Sequence, residues 1–186
     1  GTSNFVAGSN AGNSIVSGGN NNTLIGDNAG TTITTASNNT AVGSRAMIAN
    51  TSGADNTAVG EQALTVNTTG ANNTAIGKAA LLLNTTASYN TVVGSSAMYN
   101  NTTGSNNVAV GFQSLQQNTT AYQNTAVGTT ALKSTTTGLD NTGVGFSAMF
   151  ANTTGYNNTA VGKSSLAANT TGASNTASGF ESLKAN

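Results

Sequence analysis

Residues 56–72 read NTAVGEQALTVNTTGAN and residues 73–89 read NTAIGKAALLLNTTASY, so the chain says nearly the same thing twice in succession. Aligning on the glycine that closes NTAVG places Gly26, Gly43, Gly60, Gly77, Gly94, Gly111, Gly128, Gly145, Gly162 and Gly179 in one column. Every interval is 17 residues, with no insertion or deletion. The unit is N-T-A-V-G-x-x-A-L-x-x-N-T-T-G-x-x. Its leading Asn is present in all ten copies, from Asn22 to Asn175. Its fourth column holds Val or Ile in nine copies and Ser178 in the last; its ninth holds Leu or Met in nine, beginning at Met47. Disordered low-complexity segments drift in length, so a constant period implies a geometric constraint.

Composition narrows the classes further. Charged residues make up 5% of the 186, against about 25% in an ordinary soluble domain. Five basic and five acidic residues cancel, so net charge recruits neither nucleic acid nor an acidic membrane surface. Cys, His, Trp and Pro are absent, which removes disulfides and thiolate or imidazole metal sites. No apolar run approaches the roughly 20 residues that span a bilayer, so no membrane insertion is expected in this segment. The abundance of Asn, Thr, Ser and Gly would by itself suggest disorder; the period overrules it. The sequence begins at Gly1 rather than Met and stops at Asn186 within a repeat, which predicts processing and an array that continues.

Helical repeat units run to about 33–47 residues and favour strong helix formers. The short runs TAVG and AL between Gly- and Asn-rich corners suit brief strands instead. At about 3.3 Å per residue, a 17-residue unit traces a circuit of about 56 Å, a small closed coil with two or three short strands. Coils stacked about 4.8 Å apart pair backbone with backbone. The predicted fold is therefore all-β: a parallel β-solenoid of ten coils over residues 22–186, the last incomplete. Residues 1–21, with NFVAG and NSIVSG irregularly spaced, form irregular coils or a cap.

Stacking assigns roles to columns. Asn39, Asn56, Asn73, Asn90, Asn107, Asn124, Asn141 and Asn158 can pass amide hydrogen bonds along the axis, as in cross-β ladders. Gly43, Gly60, Gly77, Gly94, Gly111, Gly128, Gly145 and Gly162 supply positive φ or close backbone approach at a corner. Like charges in neighbouring coils would sit about 5 Å apart, and no adjacent coils place like charges in one column. Glu61 and Lys78, which do share one, are opposite in sign. One Val or Ile, one Leu or Met and about two Ala per coil make a thin core. A second apolar face shared with identical chains would complete it. The Val/Ile and Leu/Met columns are the candidates for core and inter-chain seam, in an order the sequence leaves open.

The motif NTAVGxxAL, and especially NTLIG at Asn22–Gly26, resembles the repeats of YadA-like heads in trimeric autotransporter adhesins. Similar repeats occur in bacteriophage tail fibres and other fibrous surface proteins. The resemblance covers about residues 4–186. It implies a left-handed parallel β-roll, three chains side by side, in an extracellular filament on a cell or virion. Such a fibre is a structural protein that serves adhesion, and its partners are further copies of itself and a host-cell surface, glycan or matrix component. The unit departs from the family, whose head repeats are shorter; here NTTG lengthens the turn.

Material for catalysis is scarce. The nucleophile–base pairs that use His or Cys cannot form, no cofactor motif is present, and the acids Asp27, Asp55, Glu61, Asp140 and Glu181 form no recurring pair. A non-enzymatic role is expected. Aromatics are more suggestive. Phe112, Phe146 and Phe180 share the column after the glycine, 34 residues apart, and Tyr122 and Tyr156 repeat that spacing in another. If exposed they form a stripe suited to sugar or protein surfaces; the preferred alternative packs them against the turn or a neighbouring chain. Asn50, Asn67, Asn84, Asn101, Asn118, Asn152 and Asn169 begin N-x-[ST] sequons and are possible glycosylation sites. The preferred reading of these asparagines is that they build the turn. A Thr/Asn-rich face that orders ice is an alternative function, weakened because adjacent Thr in NTT point opposite ways along a strand.

Overall fold

A computed structural model describes residues 3–185 of the chain. It is a parallel β-solenoid whose regular coils recur every 17 residues, without a helix among the described residues. The strands are β1 Phe5–Ala7, β2 Thr23–Ile25, β3 Thr40–Val42, β4 Thr57–Val59, β5 Thr74–Ile76, β6 Thr91–Val93, β7 Val108–Val110, β8 Thr125–Val127, β9 Thr142–Val144, β10 Thr159–Val161 and β11 Thr176–Ser178. They form one sheet of eleven strands in sequence order. Registers such as Thr57↔Thr74 and Val59↔Ile76 stack each column on itself.

Each coil therefore has one strand of three residues, not two or three strands. The rest of the circuit is a run of turns. The cause is backbone handedness: in the coil of Asn56, Gln62, Leu64 and Asn72 have φ of 61°, 52° and 58°. Alternating left- and right-handed residues curl the chain instead of extending it. Pairing between coils persists through these turns. Leu64 N donates to Ala80 O at 3.0 Å, Val66 N to Leu82 O at 3.0 Å and Thr68 N to Thr85 O at 2.9 Å. Because every coil curls at the same columns, backbone groups keep their partners in the next coil.

The strand decides which side chains go inside. Residues alternate across it, so the central Ala faces in while Thr and Val or Ile face out. Ala58, Ala75, Ala109 and Ala126 are fully buried, as are Leu64, Leu81, Met98, Leu115, Leu132, Met149 and Leu166. The Leu/Met column is thus the core. The Val/Ile column is not: Ile76 is 39% exposed and Val161 43%. The small strand-centre residue leaves room for the large one opposite. A Cβ added to Gly143 would lie 3.2 Å from Leu132 Cγ and 3.4 Å from Met149 Cε.

Two asparagine ladders line the coil. Asn73 N and Nδ2 both donate to Asn56 Oδ1, at 2.9 and 3.1 Å, and Asn73 Nδ2 also reaches Ala87 O. This ladder continues from Asn4 to Asn175. The corner glycine that follows each strand is required twice over. Gly60 has φ of 138°, and a Cβ there would stand 2.5 Å from Gly77 O in the next coil.

The irregular N-terminal segment is itself a coil. Phe5 pairs with Thr23, an offset of one residue more than the repeat, and Asn4 Oδ1 accepts from Asn22 N at 2.8 Å. Gly12 N still bonds Ala29 O and Val16 N bonds Thr34 O, so the extra residue enters after Val16.

Candidate functional site

The sequon asparagines form a second ladder. Asn67 Nδ2 donates to Asn50 Oδ1 at 2.9 Å and to Gly70 O at 2.9 Å, and the same pair of bonds recurs at Asn84, Asn101 and Asn118. Asn50, Asn67, Asn84, Asn101, Asn118, Asn152 and Asn169 are 0–2% exposed. The amide nitrogen that would carry a glycan is inside the folded coil with its hydrogens donated. In the folded coil these side chains bond within the turn, as in the preferred reading of the sequence. The following Thr is used internally too, since Thr68 Oγ1 donates to Thr85 O at 3.0 Å.

This ladder has one flaw. Thr135 stands where an Asn would, and its side chain is too short to reach either neighbour. Asn118 Oδ1 and Thr135 Oγ1 are buried without a hydrogen-bond partner. The ladder resumes where Asn169 Nδ2 donates to Asn152 Oδ1.

The described residues enclose no pocket and bring together no group of three His, Cys, Asp or Glu. No helix among them is long and apolar enough to cross a membrane. The few charges are spent on neighbours: Glu61 pairs with Lys78 at 2.9 Å and Glu181 with Lys184 at 2.8 Å. Asp55 Oδ1 accepts from Asn38 Nδ2 at 3.0 Å and Asp27 Oδ2 from Asn28 Nδ2 at 2.9 Å.

What the fold offers instead are outward rows. The sheet presents a Thr row beside a Val/Ile row. Past the corner glycine lies the column of Phe112, Phe146 and Phe180, which are 49%, 53% and 68% exposed. Tyr122 and Tyr156 are exposed as well. Lys163 stands between two of the Phe rings, its Nζ 5.9 Å from the Phe146 ring centre and 5.6 Å from that of Phe180. Phe150, in the column after Leu/Met, takes Lys133 in the same way at 5.8 Å. Periodicity made these rows legible, whereas exposure required the strand's facing. Comparison with protein-family models, with curated proteins and with solved structures finds no match to this chain.

Proposed function

We propose that this chain is a non-enzymatic shaft segment of an extracellular fibre, in which three copies associate side by side as left-handed rolls and present surface rows for attachment. The observation that carries the reading is the Val/Ile row. It runs along the single sheet, exposed at Ile25, Ile76 and Val161 and half-buried at the Val residues between, in a chain whose own core takes one large side chain per regular coil. An apolar row that a lone rod leaves in water is the surface a second and third copy would cover. The low charge fits the same picture, because identical chains would set like charges against each other.

Native mass by light scattering, before and after mild heating, tests this. Three chains that survive heating, and that fall apart when Ile76 and Val93 are replaced by Lys, are expected. A stable monomer overturns the association.

One observation favours a second reading. On the sheet, Thr and Val or Ile point outward two residues apart in coil after coil, as at Thr57 and Val59. This regular Thr row could order water into an ice-like lattice, a role for which the internally bonded NTT threonines are unsuited. The same face cannot serve both roles, so a monomer with thermal hysteresis would replace the fibre reading.

A further inference from the structure

The post-glycine column changes character along the rod. Through the first half it reads Asp27, Ser44, Glu61, Lys78, Ser95, polar throughout and with one ion pair across adjacent coils. From Phe112 it reads Phe112, Thr129, Phe146, Lys163, Phe180, an exposed ring in every second coil with a polar residue between. We propose that this second half is a binding row for a linear acidic polysaccharide whose repeat is a disaccharide carrying one carboxylate.

Three features select that partner. Two coils advance about 9.6 Å along the axis, which matches the length of two pyranose rings in an extended chain. Every second sugar would therefore meet a ring. The rings are separated by Thr129 and Lys163, whereas the centre of a protein–protein seam excludes charge and keeps its apolar surface contiguous. A sugar chain has the matching alternation, since its C–H faces stack on aromatic rings while its hydroxyl edges need polar neighbours. Finally, Lys163 makes no ion pair among the described residues. Its ammonium lies between the two rings, 5.9 and 5.6 Å from their centres, which places a cation between two stacking platforms. That arrangement complements a carboxylate on the sugar between two stacked ones.

The inference deepens the attachment reading and rests on it for its biological setting, although the row exists on each chain alone. The test is calorimetric titration of the intact chain with hyaluronan and heparosan oligosaccharides, carboxyl-reduced hyaluronan and cello-oligosaccharides. Saturable binding is expected for the uronate-containing chains. Phe146→Ala or Phe180→Ala should weaken it roughly three- to tenfold, the scale of one aromatic contact. Lys163→Gln should bring hyaluronan down to the affinity of its carboxyl-reduced form. Phe150→Ala, an exposed ring in another column, should change nothing. Absence of uronate binding, or binding indifferent to Phe146 and Phe180, overturns the proposal. If Phe146→Ala instead lowers the native mass, these rings belong to the seam; the sugar reading then falls and the fibre reading stands. Sugar binding by a strictly monomeric chain would leave this inference intact and remove the trimer.

Discussion

The first two coils and the eight complete ones that follow stack alike, apart from one extra residue in the first, and have different interiors. From Asn39 onward a coil buries Ala at the strand centre (Val92 and Gly143 excepted), Leu or Met opposite, and in all but Thr135 of the complete coils an Asn at the turn. In the coil of Asn22 these places hold Leu24, Gly30 and Ile33. Gly30 has φ of 57°, and a Cβ there would meet Leu24 Cδ2 at 2.8 Å and Ile33 Cδ1 at 2.9 Å. The large side chain has moved from one wall of the coil to the other, and the turn amide has become an apolar plug. The coil before it does the same with Val6, Gly12 and Ile15: a Cβ on Gly12 would meet Leu24 Cδ1 at 2.9 Å and Ile15 Cδ1 at 3.1 Å. Volume is conserved while its source changes, which is how cores tolerate sequence change. The contrast shows that the backbone stacking is common property and the filling is local.

That contrast can be broken at its strongest point first. Leu64→Ala, in a regular coil, should lower stability by about 2–5 kcal/mol, read as a shift in the urea midpoint. Val59→Ala one face away should change an isolated chain by less than about 1 kcal/mol; a larger loss would mark that row as buried between copies.

Replacing Asn90 by Ala removes the acceptor for Asn107 N, a buried backbone donor. A cost of about 1–3 kcal/mol is expected, with faster amide exchange at that position. Gly30→Leu alone should be destabilising by about 1–3 kcal/mol from overpacking. Combining it with Leu24→Ala and Ile33→Asn converts the coil to the regular type, so the triple variant should recover most of that loss. Simple addition of the three single effects would refute the compensated core.

Thr135→Asn should work in the favourable direction. It supplies the missing donor to Asn118 Oδ1 and should raise stability by about 1 kcal/mol. The smallest effect belongs to Glu61→Gln. Both partners of that ion pair are more than half exposed, so a loss under about 1 kcal/mol that vanishes in high salt is expected.

Much of this was legible in the sequence, for a physical reason. A fixed period with Asn, Gly and Leu/Met in fixed places demands a repeated circuit, and that gave the stacked coil, the first amide ladder and the corner glycine. Facing was harder. Val and Ala lie side by side in NTAV, and hydropathy favours burying Val; strand alternation reverses this by turning the central residue inward, where Leu or Met opposite takes most of the room. The left-handed turns were half visible. Asn38, Asp55, Asn72, Asn106, Asp140 and Asn157 sit at one such column and are residue types that tolerate it. Leu64 and Met98 at another carry no such signal, since their conformation is held by burial and coil-to-coil bonds rather than by preference. The sequons were ambiguous because N-x-T is spelled alike whether the Asn points to water or up a ladder. The exchanged core was missed because Gly30 and Ile33 look like lapses from the consensus when read singly.

The uniform register has a consequence at the level of the gene. Between Asn39 and Asn175 the upper edge of any coil presents nearly the same donors and acceptors as that of every other coil. Recombination in units of 51 nucleotides (three for each of 17 residues) would lengthen or shorten the rod by about 4.8 Å at a time without creating a misfit. A crossover inside the coil of Asn22 would separate Leu24 from Gly30 and Ile33, which fit only together. Length is thus free to vary among the regular coils.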